Sequence, residues 1–159
     1  MYRLVRHQII PAPLAEVWAY FSNPNNLNEL TPPDMHFEIR YGGQAEMYPG
    51  QILEYRVEFV RGIRSRWLTE IAHVQPQVSF VDEQRIGPYR FWFHEHTFIQ
   101  VGAGVRMHDL VTYALPFGLI GDIVHWAWVK RRLNQIFDYR IQKIEQIFGP
   151  SPRDLEAHD

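Results

Sequence analysis

Between residues 35 and 114 the chain passes through six strand-like segments with no room for a crossover between any two. They span 35–41, 51–60, 63–74, 78–84, 89–100 and 105–114. Their separators are turn-forming: Gly42-Gly43, Pro49-Gly50, Arg61-Gly62, Pro76, Gly87-Pro88 and Gly102-Ala103-Gly104. A parallel connection needs about a dozen residues or more, so consecutive strands must run antiparallel. The predicted core is a meander.

The flanks supply what a meander lacks. Residues 2–10 form a further strand candidate ending at Pro11. In "PAPLAEVWAYFSN", Val17, Trp18, Tyr20 and Phe21 define one face of a short helix, and "NPNNLNELTPPD" holds a second helical turn stopped by Pro32-Pro33. Over 119–148, Ile123, Trp126, Ala127, Leu133, Ile136, Phe137, Ile141, Ile144 and Phe148 recur at helical spacing, and Gly149-Pro150 ends the pattern. One long amphipathic helix is the natural cover for a curved sheet, and a cavity is left where the curvature exceeds what the helix fills. The predicted class is α+β: a curved six- to seven-stranded antiparallel sheet wrapped around a long C-terminal helix, with two short helices after the first strand. Residues 1–148 make one domain, and 149–159 a disordered tail.

Composition narrows the function classes. Lys+Arg 16 against Asp+Glu 18 gives a net charge of −2, so no positive field invites nucleic acid. With no cysteine there is no disulfide, thiolate nucleophile or cysteine-held metal. The start, MYRLVRHQII, is not a signal peptide, and LPFGLIGDIVHWAWV is too short and polar to span a bilayer. A cytoplasmic protein is expected. Aromatics at 14% suit the wall of an apolar pocket.

The order of elements resembles the START-related, helix-grip superfamily called SRPBCC, which includes birch pollen allergen-like proteins and polyketide cyclases. More narrowly it resembles a bacterial ligand-binding branch labelled "cyclase/dehydrase" or "cell division inhibitor-like". The resemblance is carried by "PAPLAEVWAYFSNPNNLNELTPP" (11–33), "GIRSRWLTEI" (62–71) and "FVDEQRIGPYRFWFHEHTF" (80–98). "MHDLVTYALPFG" (107–118) and "VKRRLNQIFDYR" (129–140) continue it. It covers nearly the whole chain to Phe148 and implies the helix-grip fold. Members bind or transform unrelated molecules, so fold alone does not imply one activity.

Within "RFWFHEHTF", strand periodicity puts Trp92, His94, His96 and Phe98 on one face. The resemblance implies that this face is the cavity wall. Two imidazoles at i and i+2 can chelate one ion, but a catalytic zinc or iron site wants a third protein ligand. Phe98, Ile99, Gln100 and Val101 follow, where a cupin-like pattern would place a glutamate, so neither a metal nor another cofactor is expected. The neighbouring strand offers His108 after a three-residue loop or Asp109 after a two-residue turn. The greasier face, with Val105, Met107, Val111 and Tyr113, carries Asp109. Phe80, Asp82 and Gln84 share a face, and the resemblance sets it beside the histidine strand.

The ligand-binding candidates are therefore Trp67, Asp82, Gln84, Trp92, His94, His96, Phe98, Met107, Asp109 and Tyr113. The expected function is binding of a small, largely hydrophobic molecule or lipid between sheet and helix, without catalysis. The alternative is a polyketide cyclase, aromatase or dehydratase-like enzyme in which His94, His96 and Asp109 move protons. A protein-interaction module is the third reading. Lys130, Arg131, Arg132, Arg140 and Lys143 read as a solvated helix face. Monomer and dimer are both open.

Overall fold

In the computed structural model, residues 1–43, 46–102, 104–116, 118, 123 and 125–151 are described. Strand β1 (Tyr2–Ile10) leads into α1 (Leu14–Phe21) and two 3-10 turns (Pro24–Asn28 and Pro33–Met35). Then come β2 (Glu38–Tyr41), β3 (Gln51–Val60), β4 (Ile63–Gln75), β5 (Ser79–Ile86), β6 (Phe91–Val101) and β7 (Gly104–Ala114). A π-helical turn (His125–Val129) runs into α2 (Lys130–Phe148). The strands form one sheet in the order β1-β7-β6-β5-β4-β3-β2, and every neighbouring pair is antiparallel. The meander is present, and β1 extends it by pairing with β7 at one edge. The two short helices after β1 are also present, the second as 3-10 turns rather than α-helix, because Pro24, Pro32 and Pro33 withhold amide donors.

On β7 the alternation is strict, with Val105, Met107, Asp109, Val111 and Tyr113 buried and the residues between them half-buried. Helix α2 lays Leu133, Phe137, Arg140 and Ile144 on the sheet, a stripe at spacings of four, three and four. Two large apolar clusters result. One joins Trp92, Val111 and Tyr113 to Leu133 and Phe137. The other joins Phe80, Phe98 and Met107 to Val17, Phe21 and Ile144.

The expected single helix over 119–148 needs correction. Residues 119–122 and 124 lie outside those described, and regular α-helix begins only at Lys130. A π-turn holds about one residue more than an α-turn, so it shifts the phase of the apolar stripe. Ile123 is 70% and Trp126 85% exposed, although the spacing grouped both with buried Phe137. Of the expected tail, residues 152–159 lie outside those described. Among the described residues no helix is long and apolar enough to cross a membrane.

One turn gives a test of the backbone. Gly42 and Gly50 sit at φ +86° and +84°, which penalises any L side chain. A Cβ at Gly42 would lie 2.1 Å from the Ile52 carbonyl oxygen, whereas one at Gly50 meets nothing within 4 Å. In urea melts Gly50→Ala should cost about 1–2 kcal/mol, the left-handed penalty alone. Gly42→Ala should cost clearly more. Equal losses would mean that the β2–β3 connection moves aside freely.

Candidate functional site

The β6–β7 hairpin decides what faces the histidines. Val101 pairs with Gly104, so the connection has two residues, and Gly102 takes φ +54°. Asp109 consequently stands opposite His96, and Val111 opposite His94. His108 pairs with Thr97 and lies on the other face. On the other side, β5 sets Asp82 opposite His94 and Phe80 opposite His96. The i, i+2 histidine pair is thus flanked by a carboxylate on each adjacent strand.

The two rings face each other with centroids 3.7 Å apart, held between Phe80, stacked 4.1 Å from His96, and the edge of Phe137, 5.6 Å from His94. Asp82 Oδ2 is 3.3 Å from His94 Nδ1 and 3.0 Å from His96 Nε2. Asp109 Oδ1 is 3.1 Å from His94 Nε2 and 2.7 Å from His96 Nδ1. Both imidazoles and Asp109 are buried, while the Asp82 side chain keeps 20% exposure. This polar ring belongs to neither large apolar cluster.

Burial works to raise the Asp82 carboxyl, but the charge on His94 and hydrogen bonds from both imidazoles outweigh it and hold the group well below the carboxylate range. Asp109 is held down in the same way, against its own burial, by the Arg140 charge and by both rings. For His94, burial disfavours the cation, yet Asp82 and Asp109 reverse this and raise its pKa. For His96, burial and the neighbouring His94 charge prevail and lower it. Two imidazoles in nearly the same setting are shifted in opposite directions.

Above the ring, between sheet, 3-10 turns and α2, lies a cavity of about 170 Å³. Its wall includes Tyr55, Trp67, Trp92, Leu30, Ile136 and Phe137, and Asp82, His94 and His96 border it. Of the sequence candidates, Trp67, Asp82, Trp92, His94 and His96 line this cavity. Four other candidates are placed elsewhere. Gln84 is tied to the Tyr89 backbone, donating to its carbonyl at 2.7 Å and accepting from its amide at 3.2 Å, which closes the β5–β6 turn. Phe98 and Met107 pack under α1, and Tyr113 packs with Tyr89 and Trp92. Sharing a strand face with the histidines was not enough, because the sheet face is longer than the cavity. Asp109 is in the ring but behind it, bordering a small hollow with Arg140.

Arg140 is the residue the sequence misplaced. It was grouped with a solvated cluster, but it is 9% exposed, with its guanidinium over the Phe21 and Phe137 rings at 5.5 and 6.0 Å. Its signal was phase: three residues after Phe137 and four before Ile144, it sits in the apolar stripe. Lys130 and Arg131 are exposed as expected, and Arg132 pairs with Asp34 at 2.9 Å.

No protein-family model matches the chain, and no curated protein does. Solved structures match it in fold. TTHA0849 from Thermus thermophilus is 18% identical with a TM-score of 0.67, and the match covers 99% of this chain and 100% of that one. A START superfamily protein from Mycobacterium smegmatis is 11% identical with a TM-score of 0.68, over 93% and 97% of the two chains. Ara h 8.0201 is 16% identical with a TM-score of 0.62, over 91% and 98%. The chain has the helix-grip α+β fold of START-like proteins, as the resemblance implied.

Proposed function

We propose that the protein binds a small, largely apolar molecule in the cavity between sheet and α2, with its polar end toward Asp82, His94 and His96. The observation that carries this reading is a 170 Å³ space kept open by large aromatic side chains in an otherwise packed interior. An engineered apolar cavity of about 150 Å³ already admits benzene, so a ring system or a short acyl segment is a fitting size. A wall of aromatics with a few convergent polar groups is the usual make-up of a small-molecule site. The fold likeness to START-like proteins supports the same reading.

Ile136 borders the cavity from α2 and is only half-buried, so a larger side chain there fills space without displacing core. With 1-anilinonaphthalene-8-sulfonate as probe, the native protein should show saturable binding. Ile136→Trp should weaken it about tenfold or more, the equivalent of about 1.4 kcal/mol, while the thermal midpoint stays close to that of the native protein. Unsaturable binding, or unchanged affinity in the variant, would refute the cavity as a ligand site. Native mass spectrometry of protein purified without added ligand would then show the bare chain alone.

A further inference from the structure

We propose that Asp82 Oδ2, His94 Nδ1 and His96 Nε2 bind one divalent first-row transition ion, of the zinc(II) or iron(II) kind, at the polar end of the cavity. Asp109 stands behind both rings as the carboxylate that orients them. The inference is independent of which apolar molecule occupies the cavity, or whether one does.

Distances support it first. Donors that share an ion at bond lengths near 2.0–2.2 Å lie about 3.0–3.5 Å from one another. Asp82 Oδ2 is 3.0 and 3.3 Å from the two facing nitrogens, and all three donor atoms lie within 4.8 Å of one another. The sequence argued against a metal because no ligand follows the second histidine; the third ligand comes instead from the adjacent strand β5.

Hydrogen bonding supports it independently. His96 has a carboxylate oxygen within 3.0 Å of both its nitrogens, but a neutral imidazole carries one N–H only. If His96 donates from Nε2 to Asp82, its Nδ1 lone pair is left 2.7 Å from the Asp109 oxygen. His96 Nδ1 is buried and makes no well-angled hydrogen bond among the described residues, although the Asp109 oxygen is 2.7 Å away. A cation beside Asp82 removes the conflict. Both rings turn lone pairs to the ion, and the protons on His94 Nε2 and His96 Nδ1 both point at Asp109. A carboxylate accepting from the far nitrogen of a metal-bound histidine is the usual outer support of such sites, and here one carboxylate serves both rings.

Donor chemistry then selects the ion. Two imidazoles and one carboxylate suit zinc or iron rather than magnesium or calcium. Asp82, His94 and His96 border the cavity whereas Asp109 does not, so the coordination positions left over face the cavity.

The test uses the full chain without a histidine tag, stripped with a chelator and titrated with zinc(II) against a chromogenic competitor. A parallel titration with cobalt(II) reads the visible absorption of the bound ion. One ion per chain is expected. Asp82→Asn, which keeps the shape and loses the charge, should weaken uptake at least about 100-fold, and Asp109→Asn about 10–100-fold. Glu95→Gln, on the opposite face of β6, should leave it unchanged. Near-ultraviolet circular dichroism verifies the fold of each variant, and the isosteric Asp82→Asn carries the test if Asp109→Asn proves unstable. Absence of saturable uptake at micromolar metal, or equal affinity in Asp82→Asn, would overturn the site and leave a proton-sharing network. Probe binding in the cavity is measured separately, so the two readings can fail apart.

Discussion

Asp109→Ala should lose about 3–5 kcal/mol of stability, the range found when one partner of a buried charge cluster is removed. The Asp109 side chain is 8% exposed and faces His94 Nε2 at 3.1 Å and His96 Nδ1 at 2.7 Å. Arg140 is the largest favourable charge acting on it, and Arg140 is itself buried between Phe21 and Phe137. Alanine would strand a guanidinium and a pair of hydrogen-bonding rings among apolar side chains, with no water shell to replace the lost acceptor. Asp109→Asn, which keeps the volume and one acceptor oxygen, should cost less. Guanidinium melts monitored by near- and far-ultraviolet circular dichroism decide the matter. A loss under about 1 kcal/mol would mean that the ring is hydrated and energetically slack.

The second large effect is on α2. Phe137 is 5% exposed and belongs to the cluster that joins the helix to Trp92, Val111 and Tyr113 on the sheet. Phenylalanine-to-alanine changes in cores cost about 3–5 kcal/mol, the spread set by how far the site can relax. Phe137 also borders the cavity, so part of its ring already lacks packed neighbours, and the expected loss is near the lower end, about 3 kcal/mol. Trp126→Ala is the contrast. That side chain is 85% exposed, and its removal should change stability by no more than about 0.5 kcal/mol. The helical spacing had grouped the two residues, so comparable losses would restore the unbroken stripe.

Much of the architecture was legible because it rests on local rules. Side-chain alternation put Trp92, His94, His96 and Phe98 on one face, the resemblance made that face the inner one, and short turn-rich links forced antiparallel pairing. The apolar stripe from Leu133 to Ile144 identified the covering helix. The hairpin turn was narrowed to two lengths, and hydrophobicity chose the one that brings Asp109 opposite His96. The amino-acid order by itself determined the strands, the antiparallel pairing of the consecutive ones and the presence of a covering helix.

Three things were decided only in three dimensions. Asp82 meets both histidines because the β5–β6 register sets it opposite His94, and that register is fixed by pairing between strands rather than by either strand alone. Arg140 is buried beside the same small hollow as Asp109 on a distant strand, whose opposite charge offsets part of the cost of burial. The π-turn at His125–Val129 turns Trp126 out of the stripe by shifting helical phase. Periodicity reports which way a side chain points from its own element. Whether another element supplies a partner there depends on register and phase set by distant packing, which no local window contains.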